Sequence, residues 1–367
     1  MDANEHEGPD GSGTVSENNS RAFACIRGSQ LSDNVKQTLR PFPEQNWKFN
    51  RAIRAEFRRR GFFAEPGHYL KDHTWIEHAG RWHVFFIRGV EVGAFTGTRD
   101  RWVGHASTVD FIQWKIHTPV PMNGAPSIIR RGRLFYLYAN QKADDPNVPG
   151  ICLVILPDFE RWTAHEKYPV YFPNPKLYGR PDIQHCRDYH VMPFEGGYLM
   201  LFAEITRDCL GCVGAIRSKN LLDWEDLGPI FKLDKPGWGH AQWERVGYGI
   251  PESPFLLEKD GRWHLLITDN LHTRTYRLWS DHPLKGWSWK RSAFFHGAPT
   301  GWDWASEPRM DPSAAAGVSA AYELFETQFG WLVSYYFYDP IEKKSVLRVE
   351  PVAWRDGHPF IQPRWKR

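Results

Sequence analysis

Five short runs decide the fold: Gly80–Phe86 (GRWHVFF), Gly132–Tyr138 (GRLFYLY), Gly196–Phe202 (GGYLMLF), Gly261–Ile267 (GRWHLLI) and Gly330–Tyr336 (GWLVSYY). In each, a glycine opens a strongly apolar stretch of aromatic and β-branched residues, the length of one strand and introduced by a turn signal. The runs recur at intervals of about 50 to 70 residues. A second element follows most of them: DFIQW at Asp110–Trp114, DFERW at Asp158–Trp162, NLLDW at Asn220–Trp224 and the looser SDHPLKGW at Ser280–Trp287. Strand-like segments with serine (GHAST, AIRS, RLWS) precede these elements. The unit therefore reads strand, turn, strand, then a turn closed by tryptophan. Five copies without helical periodicity exclude a helical solenoid and point to propeller blades of about four strands.

The expected fold is all-β, a five-bladed β-propeller over residues 64–367. Residues 1–22 are expected to form a disordered tail. Residues 23–63 are read as an N-terminal extension with a short helix, in which Phe49, Ile53 and Phe57 line one face and arginines the other. A pair of β-sandwiches leaves the five similar units unexplained. Trp114, Trp162, Trp224 and Trp287 sit at equivalent places in their repeats and are assigned to packing between blades.

Composition narrows the function. Aromatic residues make up 15% of the 367, with 18 tryptophans, and the net charge is only +3. That charge argues against a nucleic-acid partner. A mean hydropathy of −0.54 and the lack of an apolar run near membrane length argue against a spanning helix. The first twenty residues, polar and acidic, contain no secretory apolar core, and five cysteines are an odd number. A reducing, cytoplasmic setting is the expectation. Cys209 and Cys212 form a lone C-x-x-C, read as two packed thiols in a strand.

In a propeller the first strand of each blade lines the central axis, so the residues ahead of each glycine run face the channel. Asp72 (YLKDHTWIEHAG) and Asp188 (HCRDYHVMPFEG) each lie eight residues before their glycine. Glu252 (GIPESPFLLEKDG) lies nine before, and Glu323 (AAYELFETQFG) seven before; the second repeat offers only Ser127. Converging carboxylates repel, so one is held protonated while its neighbour stays ionised, the division that glycosidic cleavage uses. His73, Trp75, Arg187, His190 and Glu323 are the expected sugar contacts near these acids. Further aromatic platforms are Trp238, Trp243 and Tyr248 before Glu252, and Trp302 and Trp304 before Glu323. No cofactor or metal ligand set is expected beyond a structural calcium that axial acids could hold.

These residues resemble the five-bladed furanosidase superfamily, glycoside hydrolase families 32, 43, 62 and 68 and their relatives. The family's order of catalytic Asp, second Asp and Glu general acid falls on Asp72, Asp188 and Glu252. GRWHVFF after Asp72 and WVGHASTVDFIQW at Trp102–Trp114 are similar to family 32 motifs, the latter to W-G-H-A-x-S-x-D-L-x-x-W. Arg187-Asp188 looks like the start of R-D-P, and PESPF around Glu252 like E-C-P or the E-x-P of family 43. The chain has LKDHTW where family 32 carries W-M-N-D-P-N-G, and RDY in place of R-D-P. Because the sequence ends just after the fifth repeat, the β-sandwich appendix of family 32 is not expected.

The resemblance implies a glycoside hydrolase, with a furanoside such as a fructoside or arabinoside favoured. Glu252 would protonate the leaving oxygen, and Asp72 would attack the anomeric carbon or activate water. Asp188, with Arg187, would hold sugar hydroxyls and tune Glu252. Two other readings share the scaffold: a glycoside phosphorylase using Arg187, Arg245 and Arg309 for phosphate, and a non-catalytic carbohydrate-binding ring. The expected partner is an oligosaccharide or glycoside, with neither nucleic acid nor membrane.

Overall fold

Each glycine run becomes the second strand of an antiparallel sheet, and five such sheets share the chain. The computed structural model describes residues 62–90, 100–142, 151–166, 169–179, 186–234, 250–269, 274–297, 319–339 and 344–361. Blade 1 comprises His68–His78, Arg81–Val90, Asp100–Thr108 and Trp114–Ile116. Blade 2 comprises Ser127–Arg131, Leu134–Ala139, Cys152–Asp158 and Arg161–Ala164. Blade 3 holds Arg187–Phe194, Gly197–Ile205, Gly211–Ser218 and Glu225–Lys232, and blade 4 holds Pro251–Lys259, Arg262–Asp269, Arg274–Ser280 and Ser292–Gly297. Blade 5 is Ser319–Thr327, Gly330–Asp339 and Lys344–Arg355, with His358–Ile361 along the end of its third strand. The first strands touch one another in a closed cycle, 1 to 2 to 3 to 4 to 5 and back to 1, which is the five-bladed propeller.

The runs are apolar throughout, rather than alternating, because a blade is buried on both faces. Val84 and Phe86 of one strand pack toward blade 5, while Phe85 between them packs toward blade 2. Five apolar clusters each straddle one pair of neighbouring blades. Trp114, Trp162, Trp224 and Trp287 each join a different one of these clusters, as their equivalent positions implied. In the blade 4–5 cluster Trp354 lies edge-on to Trp331, with ring centres 5.2 Å apart. Side-chain caps form the turns before the tryptophans: Asp110 Oδ1 accepts from the amides of Ile112 and Gln113, and Asn220 Oδ1 accepts from those of Leu222 and Asp223.

The ring closes across the chain's two ends. Phe62–Phe63 pairs with Leu347 and Arg348 of blade 5, and the Phe63 ring meets Phe86 at 5.6 Å and Trp114 at 5.0 Å. Phe62 and Phe63 thus belong to the ring and not to the extension assigned to 23–63; two aromatic residues gain more by pairing with the free edge of blade 5 than by continuing a helix. The expected tail and the helix over Phe49–Phe57 lie outside the described residues. Of the C-x-x-C, Cys212 is a buried strand residue, whereas Cys209 sits half-buried in the preceding turn with φ 65°.

Candidate active site

Hairpin register locates the site. The first two strands of the blades end in the closing pairs His78–Arg81, Arg131–Leu134, Phe194–Gly197, Lys259–Arg262 and Thr327–Gly330. Six residues before each pair stand Asp72, Ala125, Asp188, Ser253 and Ala321, and all five line one pocket among the first strands. In blades 1, 3, 4 and 5 the ladder slips by one residue at this point, a bulge that re-aims a side chain out of the pleat. Asp188, Ser253 and Ala321 hold left-handed φ values of 57°, 49° and 56° there. Strain of this kind persists where the surroundings impose it, commonly at functional positions.

Asp72 and Asp188 are therefore true equivalents. Glu252 is not in line with them: it lies one residue earlier, level with Arg187, while Glu323 lies two residues later, level with His190. The position in blade 2 equivalent to Asp72 belongs to Ala125. Ser127 lies further along, where its Oγ accepts from the Val191 amide at 3.0 Å and ties blade 2 to blade 3.

Ser253 joins the two equivalent acids. Its Oγ donates to Asp72 Oδ1 at 2.8 Å, and its backbone N–H donates to Asp188 Oδ2 at 3.1 Å. Arg187 donates to Glu252 Oε1 and lies 3.8 Å from Asp188 Oδ2. Asp72 opens onto the pocket and is otherwise enclosed by protein. That enclosure, and then the charge of Glu252, pushes its pKa up to about 6 against the pull of the Ser253 hydroxyl. Asp188 is raised well above the usual carboxylate range, by burial first and by Asp72 second. Burial acts to lower Arg187, but the Glu252 and Asp188 charges outweigh it and hold the guanidinium firmly protonated. The arrangement is three acids sharing one arginine and one serine bridge.

His73, His190 and Glu323 also line the pocket. Burial keeps both imidazoles neutral, pushing His73 down to about 3 and His190 down to about 4. His73 Nε2 meets Ser334 Oγ at 2.6 Å, and His190 Nε2 meets the Leu256 carbonyl at 3.0 Å. Burial drives Glu323 up to about 8, despite hydrogen bonds from the Trp75 backbone and the Thr74 hydroxyl. Trp75 is a correction. Its ring is buried in the blade 5–1 core, stacked on Phe325 at 5.1 Å, and its indole N–H donates to Ser334 Oγ at 2.8 Å. Enclosed by that core, the ring presents no open face to a sugar. Trp238, Trp243, Tyr248, Trp302, Trp304, Arg245 and Arg309 lie outside the described residues.

Two participants escaped the sequence reading. Ser253 was overshadowed by the glutamate beside it. Tyr336, opposite Ala320 in blade 5, has its phenol pushed well up by burial and then by the charges of Asp72, Glu252 and Asp188, within whose electrostatic reach it lies. Ser253 stands eight residues before Gly261, the same offset as Asp72 and Asp188 from their glycines, and a strict count would have found it; Tyr336 carries no sequence signal of its own.

No protein-family model and no curated protein sequence matches the chain. Solved structures do. A Bombyx mori family 32 β-fructofuranosidase superposes with a TM-score of 0.60 at 14% identity, covering 91% of this chain and 70% of that one. A thermostable family 43 glycoside hydrolase gives 0.56 at 13% identity, covering 81% and 94%. A family 43 arabinoxylan arabinofuranohydrolase from Bacillus subtilis, solved with cellotetraose, gives 0.57 at 13% identity, covering 82% and 67%. At such identities the likeness is one of fold alone, the five-bladed propeller.

Proposed function

We propose that this protein is a glycoside hydrolase whose reaction takes place in the pocket of Asp72, Asp188 and Glu252, with a furanoside such as a fructoside or arabinoside as the favoured substrate. The observation that carries the reading is the Ser253 bridge between Asp72 and Asp188 beside an Arg187–Glu252 pair. Asp188 and Ser253 are held in left-handed backbone around an open pocket, strain of the kind that gathers at functional sites. The fold shared with enzymes that cleave fructosides and arabinosides supports the same reading.

Asp72, with a pKa of about 6, is largely ionised at neutral pH and serves as the base or nucleophile toward the anomeric carbon. Glu252 is the proton donor to the leaving oxygen. Its carboxyl is held by Arg187, so reaching the leaving oxygen requires Glu252 to swing off the guanidinium as the glycoside enters. Arg187 then turns to Asp188 and the sugar hydroxyls. Asp188, buried and raised, offers a hydroxyl donor or acceptor to the ring rather than a nucleophile. Neutral His73 and His190 add hydrogen-bonding edges without charge, which suits an uncharged sugar.

The test is a panel of aryl and natural furanosides and pyranosides, run in water and in phosphate, with NMR detection of the first-formed product anomer. Hydrolysis of a furanoside, lost by at least about 10³-fold in Asp72→Asn and Glu252→Gln, is the expected result. A sugar 1-phosphate product that forms only in phosphate would make the protein a phosphorylase. Sugar binding without turnover on the whole panel would leave a carbohydrate-binding ring and defeat the enzyme reading.

A further inference from the structure

Blade 1 carries a histidine cluster on the face it turns to blade 2, near the Ala79–Gly80 turn and away from the acids. The strand register puts it there. Phe85 pairs with His105 and His83 with Ser107, while the His117 amide donates to the His105 carbonyl at 2.9 Å, extending the sheet beyond Ile116. Directly paired residues share a face, so His83, His105 and His117 stand on one side of three successive strands. His83 Nδ1 and His105 Nε2 are 2.9 Å apart, and the His105 and His117 rings stack at 4.2 Å. One ring nitrogen from each lies within 4.8 Å of those of the other two.

The other blades show what this place normally holds. Counted from the closing pairs, His83 corresponds to Tyr136, Leu199, His264 and Leu332. Through the next ladder, His105 corresponds to Leu153, Ala215, Arg277 and Val349. Blades 2, 3 and 5 thus build core here from leucine, alanine, valine and tyrosine. Blade 1 buries two imidazoles instead, 5% and 1% exposed, and His105 Nδ1 has no hydrogen-bond partner. The two rings hydrogen-bond to each other, yet the buried Nδ1 of His105 is left over, and an unsatisfied buried polar atom is costly.

Three imidazoles with an open fourth position match the preferences of zinc. Ligand nitrogens about 2.0 to 2.1 Å from an ion lie about 3.3 Å from each other, so His117, the half-buried member at the end of its strand, must move inward. Arg81, which donates to Ser107 Oγ, and Lys115 stand nearby; their charges favour an anion or hydroxide as fourth ligand.

We propose that His83, His105 and His117 bind one divalent ion of the zinc class, fastening the three outer strands of blade 1 and leaving a coordination position open on the His117 side. The inference stands apart from the glycosidase reading, since it uses none of those residues.

The experiment takes untagged full-length protein, strips it with a chelator, and titrates it with Co²⁺ and then Zn²⁺. Visible absorption reports on cobalt geometry, and thermal unfolding reports on stability. One equivalent of Co²⁺ should bind with the intense bands of a four-coordinate ion and be displaced by Zn²⁺. At a hundredfold excess over Kd, Zn²⁺ should raise Tm by about 4 °C. His117→Gln should fold with an unchanged metal-free Tm and bind at least about 100-fold more weakly. His105→Leu, which installs the residue type of Leu153 in blade 2, should abolish the cobalt bands. Failure of the wild type to bind one equivalent overturns the proposal. So does unchanged affinity in His117→Gln, which would put the ion elsewhere on the chain.

Discussion

Removing the Ser253 hydroxyl should move the acid limb of the pH–rate profile. That hydroxyl donates to Asp72 Oδ1 at 2.8 Å and is the leading influence holding the carboxyl down against burial and Glu252. A hydrogen bond to a charged group is worth about 1.5 to 3 kcal/mol, and about 1.4 kcal/mol corresponds to one pKa unit. Loss of the bond should therefore lift Asp72 from about 6 to about 7. Ser253→Gly is the cleaner substitution, because φ is 49° and glycine adopts the left-handed region freely, leaving the amide to Asp188 in place. At pH 6 the ionised fraction of Asp72 would fall from about half to about a tenth, and kcat/KM with it about fivefold; at pH 8 the loss would be slight. The assay is kcat/KM against pH from 5 to 9 on the best furanoside, for wild type, Ser253→Gly and Ser253→Ala. An acid limb that stays put in both variants would refute Asp72 as the ionising base. An equal loss at every pH would reduce Ser253 to a positioning role.

Glu323, raised by burial from 4.5 to about 8, is protonated in both folded and unfolded chains at low pH. As pH rises through that window the unfolded chain ionises first, so the wild type should lose stability, while Glu323→Gln should not. By pH 9 the variant should be the more stable by on the order of a few kcal/mol in urea unfolding, with no such gap at pH 4. Trp75→Phe loses the bond to Ser334 and part of a core ring, and should cost about 1 to 3 kcal/mol in the same assay. Its KM should stay within about twofold of wild type; a large rise in KM at intact stability would return Trp75 to the sugar site. Phe63→Ala strips the clasp between blade 5 and blade 1 and should destabilise by about 3 kcal/mol or more, read as a fall in denaturation midpoint. A cost below about 1 kcal/mol would mean that this strand does not hold the ring shut.

Blade number was legible because burial on both faces makes each second strand continuously apolar, as in GRWHVFF, and because Asp110 and Asn220 cap the same turn before the same tryptophan. The fine register was legible in blades 1, 3 and 4 but not in blades 2 and 5, and glycine is the reason. Left-handed turn residues are supplied equally by Ala79, Glu195 and Asp260, so glycine is not tied to one place. Gly132 takes the first turn position of its hairpin, while Gly330 is already in the closing pair of its own. Counting eight back from Gly80, Gly196 and Gly261 lands on Asp72, Asp188 and Ser253, but the search for an acid took Glu252, one residue earlier, and the displaced glycines hid Ala125 and Ala321. The bulges add one residue to the first strands without any compositional trace. Trp75 was misread for a related reason: closeness to Asp72 along the chain does not set the face, and the strand turned it into the blade 5–1 core.

The five equivalent ring positions also explain how a pseudo-symmetric scaffold makes an asymmetric site. Blades 1, 3 and 4 contribute Asp72, Asp188 and Ser253, and the Arg187–Glu252 pair sits one residue before the last two. Blades 2 and 5 contribute Ala125 and Ala321 to the same pocket. A longer side chain at either alanine would occupy the space facing the acids, whereas a methyl leaves it to a ligand. Around the ring Ala125 and Ala321 flank Asp72 and separate it from Asp188 and Ser253, so small residues leave room on both sides of that acid. Neighbouring blade pairs could not do this if all five positions were acidic, because the mutual repulsion that already raises Asp72 and Asp188 would grow with each added carboxylate. The two alanines are thus as much a part of the proposed chemistry as the acids: they limit the charge and leave the room.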